Sequence, residues 1–541
     1  MRKVRPSEPA TRLAAPGRNP ACRHAKSFTT IAAILVVAVL ASGCTSMRAW
    51  WHNGCKVGPD YTRPSEPVAT TWIDATDPHV KTDRAVDCAW WTVFNDPKLN
   101  GLIETAYRQN LDLRTAGTRI LEARAQRNIA VGNLFPQSQT ALGTYAHAQV
   151  SKNLNLPVPP GTLNIWATGF NASWELDFWG RFRRSIEATD ADLGASMEGY
   201  GETLVLLLSE VATSYVQLRT FEERLQFARN NVALQKGSRQ LAEQRFDKGV
   251  ATELDVRQAR SNLAQTEALI PPLEAGRRQA ANRLCILLGM PVTDLAGQLG
   301  PADVPKAPAE VAVGIPAELL RRRPDIRRAE REVASQSARI GVAEADLYPR
   351  FSINGFLGYA ANDFKDLFAS RSLLGFVVPT FQWNVLNYGR ITNNVRAQEA
   401  RLQTATLQYQ QTVLMAGREV EDGLVGFLQA QQQAARLEEG VREAARSVEL
   451  VVLQFQGGVT DFNRVYTTQS AMVTQQDQLA STRGNIAINL IDVYRSLGGG
   501  WQYFVERPPT PAMHGAEEVH PPVGNVERLP TPSAEPQGGS L

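Results

Sequence analysis

The sequence predicts a mainly α-helical protein with a small β part, assembled from two copies of one unit of about 200 residues. Three observations predict it. Short patterns in the first half recur in the second at a nearly constant offset. Each half holds a proline-free stretch of 67 residues, 181–247 and 390–456. Just ahead of the first stretch, apolar and polar residues alternate with a period of two, which suits a strand and not a helix.

The duplication organises everything else. Asn110-Leu111-Asp112-Leu113-Arg114 recurs as Arg323-Pro324-Asp325-Ile326-Arg327, and Asn133–Pro136 as Asp346–Pro349, both at an offset of 213. Trp174 and Gly180-Arg181 then match Trp383 and Gly389-Arg390 at 209, as do Glu210-Val211 with Glu419-Val420 and Leu288-Gly289 with Leu497-Gly498. A four-residue difference in the loop near Pro157–Gly161 accounts for the change.

The chain opens on a basic region running to Lys26, followed by the apolar run Ile31–Leu40 and then Ala41-Ser42-Gly43-Cys44. The run is too short to span a bilayer, which takes about 20 residues, but it fits a signal-peptide core. Small residues before a cysteine resemble a bacterial lipobox, which makes 1–43 a lipoprotein signal peptide and Cys44 the lipidation site. Plain cleavage with an unmodified thiol is the alternative. Residues 44–95 form a lipidated, extended N-terminal segment. The first repeat occupies 96–290, a Pro/Gly/Ala-rich linker 291–315, and the second repeat 316–500. The Pro-rich tail 501–541 is read as disordered.

Within each repeat the order of elements is the same. A helix comes first, about Asp96–Gly132 or Ala317–Ala345, and Pro136 or Pro349 ends its pattern. Two strands follow. Ser138–Gln149 and Ile165–Phe178 serve the first half; in the latter Trp166, Phe170, Trp174, Leu176 and Phe178 alternate with Asn171, Ser173, Glu175 and Asp177. In the second half Phe351–Asn362 pairs with a strand in which Phe381, Trp383 and Val385 alternate with Gln382 and Asn384. The proline-free stretches then predict helices about 100 Å long. Along the first, Leu204, Leu208, Val211, Tyr215, Leu218, Phe221, Leu225, Ala228 and Val232 fall at steps of three and four, a coiled-coil seam. Gly249 and Gly457-Gly458 mark the far turns, and return helices run over Glu253–Leu288 and Asp461–Leu497.

Composition narrows the function. With 43% hydrophobic and 21% charged residues the chain folds, and at a net charge of +3 it carries no field for nucleic acid. Without residues 1–43, 50 basic side chains face 53 acidic ones. Neither a phosphate loop, a GxSxG elbow nor an HExxH helix occurs, so the chain is read as no enzyme and as having no cofactor. Six scattered histidines form no metal cluster, and Cys55, Cys88 and Cys285 lack zinc-ligand spacing. A Cys55–Cys88 disulfide is compatible with an oxidising compartment. The strands, by contrast, suit a membrane barrel, apolar toward lipid and polar toward a watery lumen. Four strands cannot close alone and open edges are not tolerated in lipid, so several copies must share one barrel. Physics sets no copy number.

Lys56–Tyr61 (KVGPDY), the Trp174–Arg181 joint (WELDFWGR) and Arg321–Arg328 (RRRPDIRR), together with the signal and Cys44, resemble the TolC/OprM-type outer-membrane factors, in the lipoprotein branch with the NodT- and CusC-like proteins. The resemblance covers about residues 56–500. It implies a homotrimer with a twelve-stranded shared barrel, four strands per chain, above a long coiled-coil α-helical barrel in the periplasm. It implies a passive exit duct for small toxic solutes, docked to a periplasmic adaptor and an inner-membrane RND-type transporter, and lipid-anchored in the outer membrane. Two rivals stand beside it: a duct for type I protein secretion, and a non-conducting coiled-coil lipoprotein. The insert Trp50–Cys55 departs from the family, as does Tyr466–Gln469 where Leu-Asp-Ala-Gln is common. In the family the hairpin tips carry acidic rings, which makes Asp461, Thr460, Glu253 and Asp255 candidates for a pore constriction. Helix capping is the competing role for these residues. Asp112 and Asp325 are read as caps at a helix break, and His147 as a lumen residue. Trp166, Trp174, Trp179 and Trp383 fit an aromatic girdle, with core packing as the alternative.

Overall fold

The computed structural model describes residues 47–82, 88–150 and 161–505. Cys44, the signal segment and the tail from 506 lie outside the described residues; residues 501–505, read as the start of that disordered tail, are helical instead, with Phe504 buried in the core. A short helix α1 (Met47–His52) is followed by the two-residue strand β1 (Val80–Lys81). The first repeat then runs α2 (Pro97–Gln109), α3 (Leu111–Gly132), β2 (Ser138–Val150), β3 (Gly161–Leu176), α4 (Arg181–Asp247), α5 (Glu253–Glu267) and α6 (Ile270–Leu287). After α7 (Ala296–Leu299) and β4 (Val311–Ala312), the second repeats the order. It comprises α8 (Leu319–Arg322), α9 (Pro324–Ala345), β5 (Arg350–Ala361), β6 (Leu373–Gln382), α10 (Arg390–Gln456), α11 (Phe462–Ser496) and α12 (Trp501–Val505).

Both proline-free stretches are single 67-residue helices, α4 and α10. Gly180 and Gly389 stand before them with the same φ of 80°, a backbone that only glycine adopts without strain. The seam of α4 is buried as its spacing requires, with Leu204, Leu208, Val211 and Tyr215 all at 0% exposure. They join Trp90, Phe94, Leu99, Tyr409, Phe427, Leu490 and Ile491 in one core where both repeats and the N-terminal segment meet. β1 and β4 pair in parallel at its edge, Val80 beside Val311, tying the N-terminal segment to the linker.

Several expectations need correction. The helix expected over 96–132 is two helices broken at Asn110, whose side chain caps α3 by accepting from the Leu113 amide at 2.8 Å. Asp112 therefore caps nothing; it sits in the first turn of α3. Asp325 does not cap either, but takes a two-pronged ion pair from Arg323 at 2.7 and 3.0 Å. The return helix of the first repeat breaks between α5 and α6, because Pro271 and Pro272 supply no amide hydrogens to the ladder; its counterpart α11 runs unbroken for 35 residues. The last strand spans 373–382, earlier than the alternation at 381–385 suggests. Its sequence, LLGFVVPTFQ, is apolar on both faces, so alternation could not locate it. Cys55 and Cys88 are free, so no disulfide joins them.

The four long strands form one antiparallel sheet in the order β2-β3-β5-β6. The hairpin of each repeat thus lies beside the other, with β3 against β5 through pairs such as Trp174–Ile353 and Phe170–Leu357. β2 and β6 are the two edges. Pro379, which has no amide to donate, is placed where a proline is tolerated. Among the described residues no helix is long and apolar enough to cross a membrane.

Candidate functional site

The sheet has two chemically different faces. The register puts Trp174, Leu176, Phe170 and Trp166 of β3 on one face with Tyr145 of β2, with Phe351, Ile353, Leu357 and Tyr359 of β5, and with Leu373, Val377 and Phe381 of β6. Several of these are widely exposed in the single chain: Phe170 at 71%, Val377 at 72% and Phe381 at 72%. The opposite face carries Glu175, Ser173 and Asn171. There Ser173 Oγ donates to Asn354 Oδ1 at 2.8 Å, and Asn354 Nδ2 donates to Thr380 Oγ1 at 3.0 Å, a polar row running across three strands.

The tryptophans sit at two levels. Trp174 Nε1 donates to the Leu134 carbonyl at 3.1 Å, and its duplicate Trp383 donates to the duplicate carbonyl of Leu347 at 2.9 Å. Trp179 Nε1 likewise finds the Pro349 carbonyl at 2.9 Å. All three indoles thereby satisfy the chain where helix turns into strand. Trp166 lies at the other end of β3, packed on Tyr145 and Phe364. Eight residues separate Trp166 from Trp174, which at about 3.3 Å per residue is about 27 Å along the strand. At the tilt of a membrane barrel this projects to roughly 20 Å, close to the apolar band of about 25 Å that such barrels carry. His147, expected in the lumen, falls instead on the tryptophan face, two residues along β2 from Tyr145 and opposite Asn164, whose Oδ1 lies 2.6 Å from its Nδ1.

Two arginines that the sequence did not single out fasten the N-terminal segment beneath this sheet. Arg183 donates to the carbonyls of Gly54 and Cys55 and to Asp177. Arg184, 2% exposed, donates to the carbonyls of Val57 and Gly58 and pairs with Glu187 and Asp60. Gly58 is required there. Its φ is +85°, and a Cβ would fall 2.4 Å from the Cα of Gly341 in α9. Lys56 also pairs with Glu187. Burial pushes the Glu187 carboxyl up, but the hydrogen bonds from Lys56 and Arg184 outweigh it and hold the group below its ordinary range.

At the far end, the two helical hairpins turn in the same way. Gly249 and Gly458 have φ of +68° and +75°, and the amides of Val250 and Val459 each return to a carbonyl five residues back at 2.9 Å. Thr252 and Asp255 form a reciprocal capping box at the start of α5. Asp255 reaches further: its second oxygen accepts the Phe462 amide of the other hairpin at 3.2 Å. Arg245 adds a second link. Its guanidinium lies 5.0 Å from the centre of the Phe455 ring and donates to the Gln456 carbonyl at 2.8 Å. Beneath them Ala242, Ala259, Val451, Phe455, Phe462 and Val465 make a small apolar core shared by both tips. Asp255 is therefore buried and fully engaged. Asp461 is exposed; it caps α11 through the Arg464 amide at 3.2 Å. Glu253 is exposed and pairs with Arg257 at 3.0 Å, and Thr460 is half-buried beside Asp461. Arg245 escaped the sequence reading because its duplicate position holds Gln454; that asymmetry was the available signal.

Comparison with known proteins places this geometry. The family model for outer membrane efflux proteins matches residues 102–290 and again 315–499, one match per repeat. The chain belongs to that family of channel proteins. It is 30% identical over 470 residues to the toluene efflux pump outer membrane protein TtgF of Pseudomonas putida, a match covering 85% of this chain and 96% of TtgF. It is 28% identical to the cation efflux system protein CusC of Escherichia coli, over 83% of this chain and 96% of CusC. Among solved structures, the outer-membrane channel OprN superposes with a TM-score of 0.79 at 33% identity, over 83% of this chain and all of that one. A CusC structure gives 0.71 at 27% identity, over 82% of this chain and all of that one. The long α-helical hairpins and the four-stranded sheet are thus those of an outer-membrane efflux channel.

Proposed function

We propose that three copies of this chain close their sheets into one twelve-stranded barrel in the outer membrane and their long helices into a tunnel beneath it. The assembly is a passive exit duct. The observation that carries this reading is the sheet itself: two unpaired edges, an apolar face and a polar face, with indoles at both ends of the apolar face. Lipid tolerates no open edge, so β2 of one copy pairs with β6 of the next. The helices receive a periplasmic adaptor, which couples the duct to an inner-membrane RND-type transporter that supplies the energy and selects the small toxic solutes exported. Catalysis plays no part. Cys44 carries the lipid, and the clamp of Arg183 and Arg184 on residues 54–58 transmits that anchorage to the joint between sheet and helix. At the tips, the exposed Asp461 and Glu253, with Thr460, line the narrow end of the tunnel, and Asp255 holds the hairpins together.

Planar-bilayer recording tests the duct. Purified protein of trimeric mass gives stepwise currents on this reading. A trimer that inserts without conducting would leave the coiled-coil lipoprotein in its place. Intact-mass spectrometry of the wild type against Cys44→Ala tests the anchor. A deletion strain challenged with antibiotics, metal salts and a secreted protein substrate separates solute efflux from type I secretion.

A further inference from the structure

The face opposite the tryptophans is not polar along its whole height. Next to the Ser173–Asn354–Thr380 row, the register brings Thr140, Asn171, Phe356 and Phe376 into one line across the sheet, and Leu142, Gly169, Gly358 and Leu374 into the next. Phe356 and Phe376 stack, with ring centres 5.8 Å apart and planes 28° from parallel. Phe356 lies back over the paired glycines: a Cβ on Gly169 would come within 3.0 Å of its Cζ, and one on Gly358 within 2.8 Å. Those glycines have no room for side chains in any case, because a Cβ on either would sit 2.6 Å from the other's Cα. The result is a socket that lays one phenyl flat beside a second. Phe376 remains 50% exposed and Leu374 45% exposed.

This is unexpected chemistry for a wall that faces water. Nothing in the fold requires it, since Thr140 and Asn171 occupy the same line. On the duct reading, on which this inference rests, three copies would set six phenyl rings around the lumen within the membrane-spanning part, flanked by leucines. We infer that Phe356 and Phe376, seated by Gly169 and Gly358 and flanked by Leu142 and Leu374, form an apolar aromatic collar that transiently binds aromatic solutes in passage. A ring face held toward water attracts a cation bearing an aromatic group by stacking and by its quadrupole together, while a hydrated inorganic ion gains little there.

Block of single-channel current by two cations of equal charge tests the collar: benzyltrimethylammonium and tetraethylammonium. In the wild type, benzyltrimethylammonium blocks at about two- to tenfold lower concentration, because both cations reach a ring's quadrupole but only the benzyl group adds an aromatic pair. Phe356→Leu/Phe376→Leu keeps the apolar volume and the trimeric mass but abolishes the difference, and Phe356→Ser/Phe376→Ser does the same. Asn171→Cys, with Cys55 and Cys88 replaced by serine, reports the facing independently: a sulfonated methanethiosulfonate reagent lowers its current and leaves Phe170→Cys unaffected. Equal block by both cations in the wild type, or a preference that survives in the leucine pair while Asn171→Cys still reacts, overturns the collar and leaves the duct standing. Reaction at Phe170→Cys and none at Asn171→Cys overturns the facing, and with it the duct.

Discussion

Replacing Asp255 with alanine should loosen two hairpins at once. The carboxylate accepts the Thr252 amide and hydroxyl, both at 2.8 Å, and the Phe462 amide of the neighbouring hairpin at 3.2 Å. Alanine removes the carboxylate half of the capping box, the acceptor of the Thr252 amide and hydroxyl, which costs about 1–2 kcal/mol for the two bonds, while the Thr252 side chain still caps the backbone amide of residue 255. It also leaves the buried Phe462 amide without an acceptor, at about 1–3 kcal/mol. Because the two losses share one site they do not add fully, and about 2–4 kcal/mol is the expected range. At about 1.4 kcal/mol per decade that raises local opening about 30- to 700-fold. Hydrogen exchange followed by mass spectrometry reads it directly. Faster exchange is expected in peptides covering both 250–258 and 460–466, with the α4 core around Leu204–Tyr215 unchanged. If only 250–258 accelerates, Asp255 merely caps its own helix and the idea of a shared tip is wrong. Slower exchange at the second tip would refute it outright.

Other substitutions probe the remaining contacts. Asp461→Ala should reduce cation preference in asymmetric-salt reversal potentials, since three exposed carboxylates leave the constriction; an unmoved potential removes Asp461 from the lining. Gly484→Ala should lower the melting temperature by a few degrees, corresponding to about 1–3 kcal/mol, because its Cβ would stand 2.2 Å from Thr220 Oγ1 where α11 crosses α4; Thr220→Ala in the same chain should restore most of the loss. Glu187, whose carboxyl is held below its ordinary range by Lys56 and Arg184, contributes stability that is complete above its unfolded value and fades as pH falls through its folded one. Acidification from about pH 5 to below pH 4 should therefore free residues 56–60 to proteolysis in the wild type, while Glu187→Gln should be cleaved there at both pH values.

How much was legible depended on whether a residue's partner lies nearby in sequence. The helices α4 and α10 could be bounded to the residue because absence of proline, seam spacing and flanking glycines are all local properties. β3 was legible because its two faces differ sharply. β6 was not: with leucine, valine and phenylalanine on both faces, period-two reasoning had nothing to hold. The break before Pro271-Pro272 was written in the chain as two missing amides, whereas the one at Asn110 was not legible, because asparagines such as Asn230 and Asn231 also sit inside the continuous α4.

The sequence by itself determined the duplicated plan, the length of the helices and the alternation that gives β3 one apolar and one polar face, because each follows from spacing along one chain. Only the tertiary structure decided that Asp255 and Arg245 join the two hairpin tips, that Arg183 and Arg184 grip the N-terminal segment, and that Phe356 finds its seat over two glycines. Apart from Phe356 and its near neighbour Gly358, these contacts span from 127 to 211 residues of chain. Hydrogen-bond and steric complementarity at that range is set by how the repeats pack against each other, and no local pattern of residue types encodes it.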